Sequence, residues 1–179
     1  MGPQRASKQN APDTGQDTPD GFGVAVVRED GKWRCTAMRS AALSSLAAAE
    51  TELRELRSAG AVFGLLYIGD DDYDFFIIVR PAPSGTHLLL SDATAALDYD
   101  IAAEALEHLD ADIDDDDLED ADPFEEGDVN LLSDIGLPGD VLGVILSDTE
   151  LYADEQLTRI AREMGFGDEL AAVLDKLDR

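Results

Sequence analysis

Hydrophobic and polar positions change rhythm several times along this chain, and each rhythm predicts an element. Residues 22–28 are rich in β-branched and aromatic side chains, residues 29–31 read Glu-Asp-Gly, and residues 32–38 return to a strand pattern, which together predict a β-hairpin. In its second arm Trp33, Cys35 and Ala37 alternate with Lys32, Arg34 and Thr36, so one face is expected in a core and the other in water. The period then lengthens. Leu43, Leu46, Ala49, Leu53 and Leu56 recur at spacings of three and four, which predicts an amphipathic helix over residues 42–58 with Gly60 as its stop.

Residues 62–68 and 73–80 are apolar runs of strand length separated by Gly69 and three aspartates, the composition of a short hairpin loop. Pro81 and Pro83 are expected to end the second run. Residues 86–90 form a further short strand, and Ser91 or Asp92 can cap a helix that starts near Ala93, with Leu97, Ile101, Ala105 and Leu109 on its core face and Ala102 and Leu106 widening the stripe. The connections between the later strands are too short for crossover helices. The fold class is therefore α+β, with a mostly antiparallel five-stranded sheet in the order strand-strand-helix-strand-strand-strand-helix; two layers suffice for it.

Past residue 128 the helical rhythm resumes over residues 129–135, 138–146, 153–164 and 168–177. Pro138 suits a first helical turn, while Gly136 and Gly165 suit helix ends. Phe166 is placed to fold back from Gly165 onto the preceding turn, whose stripe is Leu157, Ile160, Ala161 and Met164. The expected domain map is a disordered tail over 1–20, a sheet domain over 21–109, an acidic linker over 110–128 and a helical region over 129–179.

Charge changes the picture. The 179 residues include 40 acidic and 13 basic side chains, for a net charge of −27, and no lysine or arginine lies between Arg80 and Arg159. In the middle of that gap carboxylates crowd from Asp110 to Asp122. Such density favours extended, hydrated backbone, repels phosphate and anionic lipid, and attracts cationic protein surfaces. Direct nucleic-acid and membrane binding are thereby disfavoured, and no apolar run is of membrane-spanning length. Asp112, Asp114, Asp115, Asp116, Asp117, Glu119 and Asp120 are the candidate partner-binding residues, the expected partner being a basic protein.

Candidate chemistry is sparse. A calcium-binding loop needs oxygen ligands at positions 1, 3 and 5, glycine at 6 and glutamate at 12. Starting at Asp110, positions 6 and 12 are Asp115 and Ala121; starting at Asp114, positions 5 and 6 are Leu118 and Glu119, so neither register fits. His87 and His108 have no nearby nucleophile and are too few for a histidine metal cage. Cys35 is the only cysteine, which excludes an intramolecular disulfide and a cysteine-built zinc site. Its place on an apolar strand face reads as a small buried hydrophobe, and Trp33 reads as core. The glycines at 21, 23, 165 and 167 lack the strand-loop-helix context of a phosphate cradle. Arg28, Lys32, Arg34 and Arg39 cluster on the first hairpin, where Glu29 and Asp30 are expected partners. No cofactor, metal or catalytic residue is expected. The polar N-terminus lacks the apolar stretch of a secretory signal, so a cytoplasmic location is the expectation.

Taken in order, the Gly23-Val-Ala-Val-Val strand with Trp33 after it, Phe75-Phe-Ile-Ile-Val-Arg80, Leu89-Leu-Ser-Asp-Ala-Thr-Ala-Ala-Leu-Asp-Tyr-Asp-Ile101, the acid-rich segment and Gly165-Phe-Gly-Asp-Glu-Leu170 resemble the actinobacterial tRNA adenosine deaminase-associated protein family. The resemblance runs from Phe22 to Arg179. It implies partnership with the enzyme that converts wobble adenosine to inosine, and it carries over no catalytic residue. The deaminase itself requires a histidine followed two positions later by glutamate, and a Pro-Cys-x-x-Cys pair. Here Leu89 and Asp110 stand two positions after His87 and His108, and Cys35 is alone. The expectation is a non-enzymatic accessory protein; the alternative is an acidic nucleic-acid mimic or regulator of another basic protein.

Overall fold

A computed structural model of the chain describes residues 20–56, 61–69, 73–111, 113–148 and 150–177. The expected disordered tail, the Gly60 stop, the aspartate tip at 70–72 and Asp112 lie outside the described residues, apart from Asp20 at the tail's end. The sheet is formed by β1 (Gly21–Glu29), β2 (Lys32–Ala37), β3 (Ala61–Gly69), β4 (Asp74–Ala82), β5 (Gly85–Leu90) and β6 (Glu126–Gly127). The helices are α1 (Leu46–Glu55), α2 (Asp100–His108), α3 (Asp115–Asp120), α4 (Gly139–Ser147), α5 (Ala153–Met164) and α6 (Gly167–Leu177). The six strands lie in the order β2-β1-β3-β4-β5-β6, every neighbouring pair antiparallel.

The α+β sheet is as expected, with one strand more than the five expected. That strand, β6, comes from the acidic segment and pairs Glu126 with Leu90 and Gly127 with Leu89. A two-residue strand made of glutamate and glycine carries no alternation of apolar and polar positions, so periodicity could not show it.

In the middle of the sheet, Phe75, Phe76, Ile77, Ile78 and Val79 of β4 are all buried, which requires cover on both faces. One face carries Leu66, Ile68, Phe75, Ile77, Leu88 and Leu90 against α1, α2 and α3. The other carries Val24, Val26, Phe63, Leu65, Phe76, Ile78 and Leu89 against α4, α5 and α6. Two layers are therefore not enough: the C-terminal helices pack on the sheet and complete its second core.

Local deviations have local causes. The first helix is preceded by a 3-10 turn, Ser40–Leu43, and starts afresh where the Ser45 hydroxyl accepts from the Ala48 amide. Likewise Asp92 caps a 3-10 turn, Ala93–Leu97, by accepting from the Thr94 amide at 2.9 Å, and α2 begins only at Asp100. That interruption turns Leu97 outward, to 38% exposure, against its expected place on the core face; Ile101, Ala102, Ala105 and Leu106 are buried as expected. Pro81 does not end its strand. Its partner is Thr86 of β5, while the β3–β4 ladder has already stopped at Val79, so the missing amide breaks no pairing there.

Candidate functional site

The acidic segment begins where α2 ends. Asp110 takes a left-handed backbone conformation, φ 56°, and the Ala111 amide returns to the Leu106 carbonyl at 3.0 Å, closing the helix as a glycine commonly would. Ile113 then packs against the α1–α2 side of the core, and α3 follows with Asp115, Asp116 and Asp117 in its first turn. Three carboxylates at that end face the unpaired amides and positive end of the helix, a placement that offsets part of their mutual repulsion.

Leu118 holds this short helix down. It is 3% exposed, the one buried residue of α3, while Asp114, Asp115, Asp116, Asp117, Glu119 and Asp120 around it are exposed. Farther on, Phe124 packs on the same core and its carbonyl accepts from the Ala93 amide at 2.8 Å. The segment is then stitched to the sheet through β6, and the Asp128 amide donates to the Leu88 carbonyl at 3.0 Å. Gly127 is required in that stitch: its φ is 129°, and a Cβ there would run into the Leu88 carbonyl.

These contacts correct the expectation of a loose, extended linker over 110–128. Three apolar anchors and one strand pairing outweigh charge repulsion locally, and tie the stretch that carries six of the seven candidate carboxylates, all except Asp112, to the folded body. Sequence pattern identified the carboxylates and missed the anchors, whose signal was Ile113, Leu118 and Phe124 spaced through an otherwise polar run.

The other candidates are dispersed. The Trp33 ring lies 5.0 Å from that of Phe166, tilted at 43°, with the Arg28 guanidinium 5.2 Å from the Trp33 ring centre. Cys35 is half-buried beneath α6, and burial, followed by the charge of Glu169, pushes its thiol up to about 12, so it is an unreactive thiol at neutral pH. His108 Nε2 lies 2.8 Å from the Thr86 carbonyl and His87 Nδ1 lies 3.6 Å from an Asp128 carboxylate oxygen. Among the described residues neither imidazole meets a nucleophile. Among the described residues no group of three or more histidine, cysteine, aspartate or glutamate side chains is arranged to hold a metal. Of the hairpin cations, Arg28 donates to the Ile135 carbonyl at 3.3 Å and Arg39 lies 3.9 Å from Glu55.

Sequence reasoning also missed a cleft of about 760 Å³ at the end of β3 and β4, lined by Arg54, Arg80, His87, Asp128 and Asp134 among others. Its ionic groups are engaged, Arg80 with Asp134, His87 with Asp128 and Arg54 with Glu50 outside the cleft. Arg80, 17% exposed, grips the Asp134 carboxylate with both terminal nitrogens and donates to the Leu131 carbonyl at 2.7 Å. The Arg80 hydrogen bond holds Asp134 below the usual carboxylate range. Arg54 donates to Thr86 Oγ1 at 3.2 Å. The signal for this pairing was Arg80 itself, a cation closing an apolar strand at the edge of a long stretch without lysine or arginine.

No helix among the described residues is long and apolar enough to cross a membrane. No solved structure matches the chain. Protein Rv3753c of Mycobacterium tuberculosis (strain ATCC 25618 / H37Rv) is 74% identical over 179 residues, covering all of both chains. Residues 21–167, from the first strand of the sheet to the start of α6, match the family described as Rv3753c-like tRNA adenosine deaminase-associated protein, and the chain belongs to that family.

Proposed function

We propose that the chain is a non-catalytic accessory protein that binds tRNA adenosine deaminase through the acidic surface centred on α3. The observation that carries this reading is the fixed display of Asp114, Asp115, Asp116, Asp117, Glu119 and Asp120 around a buried Leu118. A basic groove that receives tRNA presents cations spaced for phosphates, and a prearranged set of carboxylates complements it without the ordering cost of a loose strand. The family description supplies the partner. The dispersal of the histidines, the thiol and the engaged cleft supports a role without catalysis.

Binding of the purified deaminase to the full chain, measured by calorimetry at low and high salt, tests this. The expected result is a complex at low salt that weakens steeply as salt rises, and that competes with tRNA for the enzyme. Absence of a complex at low salt sinks the proposal. If the chain instead binds other cationic proteins as tightly as the deaminase, the alternative of a general nucleic-acid mimic replaces it.

A further inference from the structure

The two edges of the sheet are built differently. At one edge β6 is two residues long, flanked by Glu125 and Asp128. At the other, β2 is six residues long and no described strand lies outside it. The hairpin register fixes which of its backbone groups face outward. The turn at Asp30 and Gly31, with φ 54° and 78°, is closed by the Glu29–Lys32 pair, and farther along the Met38 amide donates to the Gly23 carbonyl at 2.8 Å. Lys32, Arg34, Thr36 and Met38 therefore bond inward to β1, and the amides and carbonyls of Trp33, Cys35 and Ala37 point away from the sheet. Among the described residues these outward groups have no hydrogen-bond partner.

Side-chain chemistry on this edge is as distinctive as its backbone. On the α6 side, Trp33 and Cys35 pack into the core. On the opposite side Lys32, Arg34 and Thr36 are exposed, and neither cation has an ion-pair partner among the described residues. Unpaired cations are scarce on a chain of net charge −27. Lys32 and Arg34, being bonded inward to β1, occupy the non-hydrogen-bonded positions for any strand added outside, where cross-strand side chains approach most closely. Glu169 stands near Cys35 on the other face and disfavours acid there.

We propose that the β2 edge is a docking site for an extended, acidic segment of a partner polypeptide, which pairs antiparallel with β2 and places alternate carboxylates opposite Lys32 and Arg34. The same two cations discourage a second copy, whose β2 would bring like charges and another −27 to the interface. Residues between the carboxylates meet the Trp33 and Cys35 side and are small and apolar. This surface is separate from the acidic one proposed above, takes the opposite charge, and does not depend on it.

Trp33 is the only tryptophan in the chain and sits on the strand concerned, so its fluorescence reports binding directly. The probe is a blocked peptide alternating glutamate and valine, titrated into the full chain at low salt. The expected result is a saturable change in Trp33 fluorescence with slowed amide exchange at Trp33, Cys35 and Ala37, and no response to the lysine-valine peptide. A Lys32→Glu/Arg34→Glu variant, altered only at exposed side chains, is expected to weaken binding by about tenfold or more. A second probe leaves the protein untouched: N-methylation of the peptide's pairing amides is expected to abolish binding. The proposal is overturned if the glutamate peptide does not bind, if the methylated peptide binds as well, or if the charge-reversed variant binds equally. Self-association that protects the same amides without peptide also overturns it.

Discussion

The acidic segment and the C-terminal helices both follow α2, and both look peripheral to the sheet in a plain reading of the chain, yet they are held by different amounts of apolar contact. The helices place Leu137, Leu142, Leu157, Ile160, Phe166 and Leu170 in one core with the strands. The acidic segment contributes Leu118 as a buried anchor, with Ile113 and Phe124 partly buried beside it. Hydrophobic burial is roughly proportional to area, so the helices are integral to global stability, while the acidic segment is a locally fixed surface able to open without unfolding the rest. Its abundance of charge decides what it meets. Its few apolar residues decide how it is presented.

Truncation at the two places should separate these roles. Phe166 is buried and contacts both Trp33 and Phe63, so Phe166→Ala is expected to cost about 3–5 kcal/mol in urea unfolding, with all probes moving together. Leu118→Ala removes the anchor of α3 and is expected to cost less, about 1–2 kcal/mol, with loss of amide protection confined to residues 113–124. Equal, global losses for the two variants would erase the distinction. Between them in kind lies Gly127→Ala, which forces a side chain into a positive-φ position against the neighbouring strand; a cost of about 1–3 kcal/mol is expected, with protection lost at the Asp128 amide.

The smallest effect concerns the link between the C-terminal region and β4. Asp134 is depressed by Arg80 in the folded state, so its contribution is present above the ordinary aspartate range and is lost as pH falls through the folded value. The Asp134 side chain is 66% exposed, which limits the pair through solvent screening to about 0.2–1 kcal/mol. Asp134→Asn should therefore remove a shallow acid-side slope from the pH dependence of unfolding and leave the neutral-pH fold intact. An unchanged slope would show that the carboxylate adds nothing.

Five strands and three of the four expected C-terminal helices were legible in the sequence because their apolar residues repeat with a clear period: β4 as an unbroken run, and α5 as Leu157, Ile160, Ala161 and Met164, which ends as expected at Gly165 with φ 104° and a buried Phe166. Residues 129–135, expected to be helical, instead form turns and a short 3-10 turn, Ser133–Ile135, that closes at Gly136 with φ 118°. The starts of α1 and α2 were displaced because a 3-10 turn precedes each, and both conformations share capping residues and similar spacing. The sixth strand and α3 stayed hidden for another reason. Composition around them is dominated by aspartate, and the residues that fix them are single apolar side chains packed on a core whose other members lie far away in the chain. Of the candidate surface, the residue identities were readable; that α3 gives them a common, anchored display was not.

Neutralising that display while keeping its anchor tests the account most directly. A variant with Asp114, Asp115, Asp116 and Asp117 changed to asparagine, Glu119 to glutamine and Asp120 to asparagine, with Leu118 retained, is to be titrated against tRNA adenosine deaminase at low salt beside the unaltered chain. The account predicts that the unaltered chain binds and that the variant, with its sheet and C-terminal helices still protected from exchange, loses most of that affinity. Equal affinity for both would contradict it.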